Sequence, residues 1–399
     1  MRILHVISSL DPKQGGPPMI AARIGAAQAS LGHRVGMLYH SDPGADDRLA
    51  KAVASIPGFD AVTLHRLDYP GSNLGELLRS PAKEWLKTGL KDYDWLHLHG
   101  IWHPILPKAA AAARTQRVPY ALVPHGMLDP WSLRGQGTLK YLKKRLALAM
   151  GYRRMIEGAA YFHLGNRDEE RLIKPLGLSP PVEIIPNGVF PQEIDNLPAT
   201  GRFLAKHPHL AGKRFVLFLS RLHFKKGLDF LADAFADVAP KHPDTDLVVA
   251  GPDDGMRAPM TEQLRRRGVL DRVHFTGPLW GDDKLAALVD CWCFCLPSRQ
   301  EGFSMAITEA LGCRKPVVIS EGCHFPEVGE VGAGWVTPVG ARETADALHA
   351  VLAMSPADAR SMGERGRALV LERFTWPTIA KATLEGYARH TPTDVRRPA

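Results

Sequence analysis

The chain has 399 residues, of which 45% are hydrophobic and 23% are charged, and its formal net charge is +8. This length exceeds what one ordinary hydrophobic core holds, so we expect two domains of about 200 residues. The composition is typical of a globular enzyme and excludes a disordered or fibrous chain. There is no run of about 18 apolar residues and no signal-peptide pattern, and the five cysteines lack disulfide-like spacing. We therefore expect a cytoplasmic protein with reduced thiols.

Positive charge is concentrated in residues 140–154, where basic side chains surround the apolar stretch 146–150 at spacings that suit an amphipathic helix. The basic residues are Lys140, Lys143, Lys144, Arg145, Arg153 and Arg154. Two interpretations stay open: a solvated helix face, or contact with an anionic membrane surface that would make the protein peripheral on the inner face of the cell membrane. No recognition motif accompanies the charge, so we expect no nucleic-acid partner.

In the first half of the chain, short apolar runs alternate with helical segments, which is the pattern of a parallel sheet with crossover helices. The first unit joins a strand at 3–7 to a helix at 19–31 through a Gly-Gly-Pro-Pro turn. Further strands are predicted at 35–39, 95–98, 120–123, 161–164 and 182–185.

The second half repeats this pattern after a Pro- and Gly-containing stretch at 197–212, which we interpret as the linker. Its strands are predicted at 215–219, 247–250, 273–276, 291–296 and 316–319. The sequence therefore predicts an α/β protein with two Rossmann-like domains, at 1–200 and 213–372, and a last helix within 373–399.

A basic loop follows the first strand of the second half. Arg221 and Lys226 stand five positions apart, between that strand and a helix. Ligands of an α/β sheet lie beyond the carboxyl ends of its strands, so both side chains would meet a phosphate there. A solvated basic loop is the alternative.

Two carboxylates eight positions apart flank a predicted helix start in the segment 301–309. Glu301 precedes the helix, where it could accept hydrogen bonds from sugar hydroxyls. Glu309 lies about two turns inside the helix, where its two oxygens could take a ribose diol. The backbone amides of Phe303, Ser304 and Met305 suit oxygen atoms of the same ligand. Chance charged positions around a core helix are the alternative.

Together these segments resemble the retaining glycosyltransferases of family 4, and the resemblance covers nearly the whole chain. It implies the GT-B architecture: two facing Rossmann-like domains with parallel sheets and a central cleft, the first on the acceptor side and the second on the nucleotide-sugar donor side. By this resemblance Arg221 and Lys226 hold the donor diphosphate, Glu309 holds the ribose, and Glu301 holds the transferred sugar. The last helix is expected to return to the first domain.

Residues of the first half also match the family. Gly15 and Gly16 match the first-loop glycines that let the backbone approach the diphosphate and the acceptor, because glycine lacks a side chain. His125, in the segment 124–131, matches a position near the transferred sugar, with a core histidine as the alternative. The implied catalytic set is His125, Arg221, Lys226 and Glu301.

Four further residues are predicted as acceptor or turn contacts: His99, Trp102, His103 and Asn187. The resemblance places His99 at a strand end facing the cleft, where imidazoles can line an acceptor pocket without an ion, so we expect no metal. For Asn187 a plain Asn-Gly turn is the alternative. Ser304 departs from the family, since many members carry a second glycine there, and its side chain would slightly hinder the helix-start amides.

The residues and the resemblance predict a metal-independent hexosyltransferase without a cofactor. It would move a sugar from a UDP- or GDP-linked donor to a saccharide or lipid-linked saccharide acceptor, with retention of the anomeric configuration, in bacterial surface polysaccharide or glycolipid assembly. Two alternatives stay open: a sugar-nucleotide epimerase of the same fold, and a non-catalytic nucleotide-sugar-binding protein. Short motifs do not determine the base, the sugar or the acceptor.

Overall fold

The structure is a computed structural model that describes residues 1–42, 44–69, 71–72, 75–76, 80–134, 142, 144 and 146–391. The chain divides into two compact units, one made of Met1–Asn187 with Trp376–Ala399 and the other of Gly188–Thr375. None of the described helices is both long enough and apolar enough to cross a membrane.

A parallel sheet of seven strands forms the first unit, in the order β3-β2-β1-β4-β5-β6-β7. The strands are Arg2–Ile7 (β1), Arg34–Ser41 (β2), Thr63–Asp68 (β3), Trp95–His99 (β4), Tyr120–Val123 (β5), Tyr161–Leu164 (β6) and Val182–Ile184 (β7). Sequence analysis missed β3, an edge strand that is mostly polar and solvent-exposed and therefore has no apolar run.

Helices connect these strands, as parallel pairing requires. Among the described residues of this unit, the α-helices are Gly16–Ser30, Ala45–Val53, Pro81–Gly89, Ile105–Gln116, Pro130–Arg134, Arg153–Glu157, Arg167–Ile173 and Trp376–Arg389. Ser80 caps the helix Pro81–Gly89, since its hydroxyl oxygen accepts from the Lys83 amide at 3.2 Å. Asn166 caps the helix Arg167–Ile173 in the same way, accepting from the Glu169 amide at 2.8 Å.

The second unit is built on a parallel sheet of six strands, in the order β10-β9-β8-β11-β12-β13. The strands are Arg214–Leu219 (β8), Thr245–Ala250 (β9), Val273–Gly277 (β10), Cys293–Leu296 (β11), Val317–Ser320 (β12) and Gly334–Thr337 (β13). Sequence analysis missed β13, because its glycine reads as a turn. Gly334 is needed within the strand, since a Cβ there would lie 2.0 Å from the Val317 carbonyl oxygen.

The α-helices of the second unit bury its four central strands almost completely, whereas the edge strands β10 and β13 are mostly half-buried. These helices are Pro191–Asp195, Arg202–Lys206, Leu228–Val238, Arg257–Arg266, Gly281–Asp290, Met305–Gly312, Glu327–Glu330, Ala341–Leu352 and Pro356–Arg373. The five cysteines all lie buried in this unit as unpaired thiols. Cys291 ends a helix rather than starting β11, so the strand is shorter than predicted.

The segment 197–212 is not a linker, and the predicted domain boundary is wrong. Phe203 and Leu210 are buried in the core of the second unit, and Asp290 accepts hydrogen bonds from the backbone amides of Gly201 (2.6 Å) and Phe203 (2.8 Å). The division falls at Asn187, and the chain re-enters the first unit at Trp376. The proline and glycine residues of this segment suggested a loop, but the apolar side chains between them pack into the core of the second unit.

Arg367 ties the start of the second unit to its last long helix. Its guanidinium donates to the carbonyl oxygens of Ile194 (2.7 Å) and Gly312 (2.8 Å) and pairs with Asp195. The Arg367 residue is 7% exposed, so water does not replace these bonds easily.

We expect Arg367→Met to lower the free energy of unfolding of the second unit by about 2–4 kcal/mol, because two buried carbonyl oxygens lose their donors. Calorimetry of thermal unfolding measures this. Arg365→Met is the matched control, since the Arg365 side chain is exposed on the same helix and bonds Gly332 and Ser361 at the surface. It should change stability by about 0.5 kcal/mol or less. Equal effects of the two substitutions would contradict the anchoring role.

Candidate functional site

Each sheet contains one point at which the order of strands reverses. In the second sheet this point lies between β8 and β11, because the chain runs outward from β8 to β10 and then returns to the other side of β8. The loops after two such strands lead to opposite faces of the sheet and leave a crevice between them. The segments 220–227 and 297–304 follow β8 and β11, so both motifs of the second half lie at this crevice.

Lys226 and Glu301 form a close ion pair there. The Lys226 Nζ lies 2.6 and 2.7 Å from the two carboxylate oxygens of Glu301, and the two side chains are only 15% and 7% exposed. The Ser298 hydroxyl donates a further hydrogen bond to Glu301 at 2.6 Å. An ammonium has three donor hydrogens, so Lys226 retains donor capacity for an oxygen-rich ligand while Glu301 holds it in place.

Gly227 and Arg299 fix the loop that carries Lys226. Gly227 has a φ of +68°, and a Cβ there would lie 2.0 Å from the Pro297 carbonyl oxygen, so only glycine allows the two loops to approach. Arg299 bonds both carboxylate oxygens of Asp229 and lies over the Phe224 ring, 4.0 Å from its centroid. The Lys226 loop is therefore held in one conformation.

Arg221 lies in the same loop but has a different partner. Its Nη1 atom is 2.9 Å from Asp254, and the Arg221 side chain is 65% exposed. Sequence analysis predicted that Arg221 and Lys226 would meet one phosphate, whereas each pairs with its own carboxylate here. An exposed pair is worth only about 0–1 kcal/mol, so a phosphate could replace Asp254 at small cost.

The helix Met305–Gly312 begins directly after the second motif, with Ser304 as its N-cap. Within the described part of the chain, the backbone amides of Phe303, Ser304 and Met305 have no hydrogen-bond partner. The Ser304 side chain makes no capping bond either. Such a helix start offers N–H donors and the positive end of the helix dipole to an anion.

Sequence analysis missed Lys284, the partner of Glu309. The Lys284 Nζ lies 2.6 Å from a Glu309 carboxylate oxygen, and the two side chains are 26% and 16% exposed. Lys284 comes from the helix Gly281–Asp290, about 25 residues before Glu309 in sequence. No spacing rule links such distant positions, so the sequence carried no signal for this pair. The bond leaves the second Glu309 oxygen to accept from a ligand.

In the first sheet the order reverses between β1 and β4, and a cavity of 270 Å³ lies at the carboxyl ends of these strands. Its lining combines apolar, aromatic and polar side chains. The lining includes Ser8, Ser9, Gln14, Pro17, Ile101 and Leu106, together with His99, Trp102 and His103, which sequence analysis had singled out. A sugar-sized ligand needs this mixture of a flat apolar surface and a few polar groups.

Trp102 and His103 are positioned by backbone bonds. The Trp102 Nε1–H donates to the Met127 carbonyl oxygen at 3.3 Å, and His103 Nδ1 accepts from the Ile105 amide at 3.3 Å. The His103 ring contacts His40 rather than His99. The three histidines at 97, 99 and 103 therefore do not form one cluster.

Gly15, Gly16 and Asn187 lie outside that lining. Gly15 has a φ of +95° and precedes the helix Gly16–Ser30, so its backbone shape favours glycine although a Cβ would meet no atom within 4 Å. Gly16 is the first residue of that helix. Asn187 ends the first unit and is half-buried.

His125 lies in a turn after β5, with a φ of +52° that is uncommon for a residue other than glycine. The buried carboxylate of Glu169 holds this turn, accepting from the Gly126 amide at 2.8 Å and the Gly165 amide at 3.0 Å. Burial raises the pKa of Glu169, although the two amide bonds oppose the shift. The sequence carried little indication of this role of Glu169, because its pattern shows only that Glu169 lies in the first turn of a helix capped by Asn166.

Five histidines of the first unit pack ring against ring, and one of them, His99, also lines the cavity. The pairs have ring centroids 4.8–5.4 Å apart, and the residues are His5, His97, His99, His125 and His163. His5 and His97 are neighbours across β1 and β4, and His99 follows two residues later on the same face. This alternation in Leu-His-Leu-His was the available sequence signal for the stack.

Burial keeps these imidazoles neutral. It lowers the pKa of His5 and His163 to about 4 and that of His125 to about 3, and it lowers the pKa of His97 and His99 well below the ordinary value. Ring nitrogens of His5, His97 and His99 lie within 4.8 Å of one another, which could accommodate a metal ion. The hydrogen bond between His5 Nδ1 and His99 Nε2 offers a second explanation of the proximity of those two rings, while His97 Nε2 has no partner among the described residues.

The basic segment 140–154 is described only in part, because Lys140, Lys143 and Arg145 lie outside the described residues. The Lys144 ammonium lies 5.4 Å from the centroid of the Trp102 ring and donates to the Ser132 carbonyl oxygen. Leu142 and Leu146 are 59% and 61% exposed, and Arg153 forms an exposed pair with Glu157 at 3.4 Å.

Two family models match the chain: the glycosyl transferase 4-like domain over residues 15–188 and the glycosyl transferases group 1 over residues 201–369. The chain belongs to the family-4 glycosyltransferases. The crystal structure of Anabaena HepE in complex with UDP and glucose has a TM-score of 0.73, with 22% identity over 98% of this chain and 100% of that one. This likeness shows that the glycosyltransferase has the GT-B fold of two Rossmann-like domains.

Two curated relatives extend the comparison of this family-4 glycosyltransferase. Phosphatidyl-myo-inositol mannosyltransferase of Mycobacterium tuberculosis is 27% identical over 391 residues, which are 94% of this chain and 93% of that protein. One subunit of the human phosphatidylinositol N-acetylglucosaminyltransferase is 27% identical over 209 residues, which are 52% of this chain and 41% of that protein. Three of the curated relatives are matched over only 32–53% of their own lengths.

The stacked histidines make a pH-dependent contribution to stability. Their folded pKa values lie below the unfolded value of about 6.5, so the unfolded chain binds more protons as the pH falls. Stability is therefore fully present above about pH 6.5 and is lost as the pH falls toward 4. We expect the free energy of unfolding to drop by about 1 kcal/mol per buried histidine between pH 6 and 5. Urea unfolding at each pH measures this, and a flat profile would contradict it.

Proposed function

We propose that this family-4 glycosyltransferase moves a sugar from a nucleoside diphosphate sugar to an acceptor hydroxyl, with retention and without a metal ion. The observation that carries the proposal is the crevice after β8 and β11. There the close Lys226–Glu301 pair adjoins a helix start with unpartnered amides. A diphosphate leaving group requires cations and N–H donors of this kind.

In this proposal Lys226 stabilises the charge that grows on the leaving phosphate as the glycosidic bond breaks. Arg221 joins it by exchanging its exposed Asp254 partner for a phosphate oxygen. Glu301 keeps the Lys226 ammonium in place and accepts from hydroxyls of the transferred sugar. Because cations and amides already neutralise the leaving group, the reaction needs no divalent ion and no cofactor.

For the base and the sugar of the donor we propose only a chemical class. HepE binds UDP and glucose, and the mycobacterial relative is a mannosyltransferase, so we propose a UDP- or GDP-linked hexose. Glu309 would accept from the ribose hydroxyls with the oxygen that Lys284 leaves available.

Retention is proposed from the membership in family 4, and the state of the carboxylates in the crevice bears on the route by which it would occur. Glu301 is bound by Lys226 and Ser298, and Glu309 by Lys284, so neither is arranged as a free nucleophile. We propose that the acceptor hydroxyl attacks on the face from which the diphosphate leaves. The acceptor oxygen then bonds to the anomeric carbon, the bond to the phosphate oxygen breaks, and that oxygen takes the hydroxyl proton.

The acceptor is proposed to bind at the cavity after β1 and β4, where Trp102 offers an aromatic surface and His99 a polar group. The names of both curated relatives include a phosphatidylinositol lipid, so we propose a saccharide or lipid-linked acceptor, as in bacterial surface polysaccharide or glycolipid assembly. The five unpaired thiols support a cytoplasmic location for this reaction.

The test uses purified protein with UDP-glucose or GDP-mannose, each with and without dispersed phosphatidylinositol or simple glycosides as acceptors. We expect release of free nucleoside diphosphate only when an accepted acceptor is present, with equal rates before and after exhaustive chelation. Conversion of the donor sugar without an acceptor would favour an epimerase. Donor binding without any turnover would favour a binding protein.

Within this assay, Glu309→Ala should weaken nucleoside diphosphate binding by about 10- to 100-fold. A carboxylate that accepts a ribose hydroxyl contributes about 1.5–3 kcal/mol. Calorimetric titration measures the affinity. Glu330→Ala is the control, because Glu330 is an exposed carboxylate of the same unit. Unchanged affinity in folded Glu309→Ala protein would remove Glu309 from the donor site.

We also propose peripheral membrane contact through residues 140–154. The support is two exposed leucines, Leu142 and Leu146, beside the basic residues Arg153 and Arg154. We expect co-sedimentation with anionic vesicles at low salt and release at high salt. The variant with Leu142→Asn, Leu146→Asn, Arg153→Glu and Arg154→Glu should remain in solution. Equal binding to neutral and anionic vesicles would instead indicate an ordinary solvated helix face.

A further inference from the structure

Four side chains of the first unit form a continuous hydrogen-bonded chain that ends at His125. Gln28 bonds His5 at 2.8 Å, His5 bonds His99 at 2.9 Å, and His99 bonds His125 at 3.2 Å. Gln28 and His5 are fully buried, and His99 is 3% exposed. Water therefore does not compete for the inner links.

The first link sets the direction of the whole chain. The Gln28 Oε1 atom can only accept, so His5 Nε2 carries a proton and donates to it. In a neutral imidazole the other nitrogen has no proton, so His5 Nδ1 accepts from His99 Nε2. The same step repeats, and His99 Nδ1 accepts from His125 Nε2. The chain thus assigns the His125 proton to Nε2.

The three rings can form these bonds in this direction only when they are neutral, because an imidazolium has two donors and no acceptor. Burial supplies that condition, since it lowers the pKa of His5 to about 4, that of His99 well below its ordinary value, and that of His125 to about 3. Near pH 7 each of the three rings therefore has one donor and one acceptor nitrogen.

Tyr387 fixes the orientation of the Gln28 amide. The Tyr387 hydroxyl oxygen lies 2.5 Å from His97 Nδ1 and 3.4 Å from Gln28 Nε2. The hydroxyl oxygen accepts from the amide nitrogen of Gln28, which turns the amide oxygen toward His5. The last helix, Trp376–Arg389, therefore contributes to the state of a residue in the turn after β5.

We propose that Gln28 is a positioning residue for glycosyl transfer: through His5 and His99 it holds His125 in the tautomer with the proton on Nε2. The Nδ1 lone pair of His125, which has no partner among the described residues, then accepts a hydrogen bond from a hydroxyl of the substrate. The inference rests on the proposed function, because it treats His125 as a contact of the transferred sugar. The turn held by Glu169 keeps the ring in the orientation that this contact requires.

Nitrogen NMR of protein labelled with ¹⁵N-histidine tests the tautomers directly, and it does not depend on enzyme activity. We expect His125 in wild-type protein at pH 7 to carry its proton on Nε2, with His125→Gln used to assign the signal. Gln28→Met keeps the volume but removes the acceptor, so His5, His99 and His125 should shift toward mixed tautomers. A proton on Nδ1 of His125 in the wild type would overturn the proposal.

Kinetics test whether the tautomer matters. Gln28→Met and His5→Phe each interrupt the chain, and each should lower kcat by about tenfold or more with a smaller change in KM for the donor. The double variant should have a kcat no lower than that of the more impaired single variant, because the two substitutions interrupt the same hydrogen-bonded chain. Thr383→Val is the control, since it removes a buried hydroxyl that bonds only within the last helix.

The outcomes separate this inference from the proposed function. Altered tautomers with unchanged kcat would overturn the positioning role and leave the transferase intact. Absence of any transfer activity, with the wild-type tautomers as expected, would instead remove the proposed function. If Gln28→Met does not fold, the tautomer of His125 in the wild-type spectrum and the kcat of His5→Phe still test the proposal. Joint movement of the His5 and His99 signals on addition of Zn²⁺ would identify a metal site and overturn the proposal.

Discussion

The reversal of strand order in each parallel sheet is the constraint on which the rest of this structure depends. Between β1 and β4, and again between β8 and β11, the chain leaves adjacent strands toward opposite faces. Loops that diverge cannot cover each other, so the strand ends keep polar groups accessible at those two points. The Lys226–Glu301 pair lies at one point and the cavity lined by His99 and Trp102 lies at the other.

Both crevices are supported by paired polar groups, which are partly buried beside Lys226 and buried beside His125. Arg299 with Asp229 fixes the loop of Lys226, and Glu169 fixes the turn of His125. Buried charges and amides of this kind are costly unless their partners are complete. In the first unit the stacked histidines add a cost at low pH, because burial lowers their pKa values and disfavours the protonated rings.

The candidate site residues of the second unit could be picked out from the sequence because they lie close together along the chain. Arg221 and Lys226 belong to one loop, and Glu301 and Glu309 belong to one loop-helix segment, so spacing alone brought each pair to notice. Lys284 was missed because it reaches Glu309 from a separate helix. The sequence also gave no signal that Arg221 and Lys226 would each pair with a separate carboxylate, Asp254 and Glu301.

By itself the sequence determined the α/β class, the repeated strand-helix pattern and most strands, because burial on both faces imposes apolar runs that are visible in one dimension. It did not determine the exposed edge strand β3, the glycine-containing β13 or the unit boundary at Asn187, where anchoring depends on distant residues such as Asp290. Only the tertiary structure aligned Gln28, His5, His99 and His125. The sheet register and the return of the last helix decide which of these nitrogens meet, and no local pattern encodes such long-range pairing.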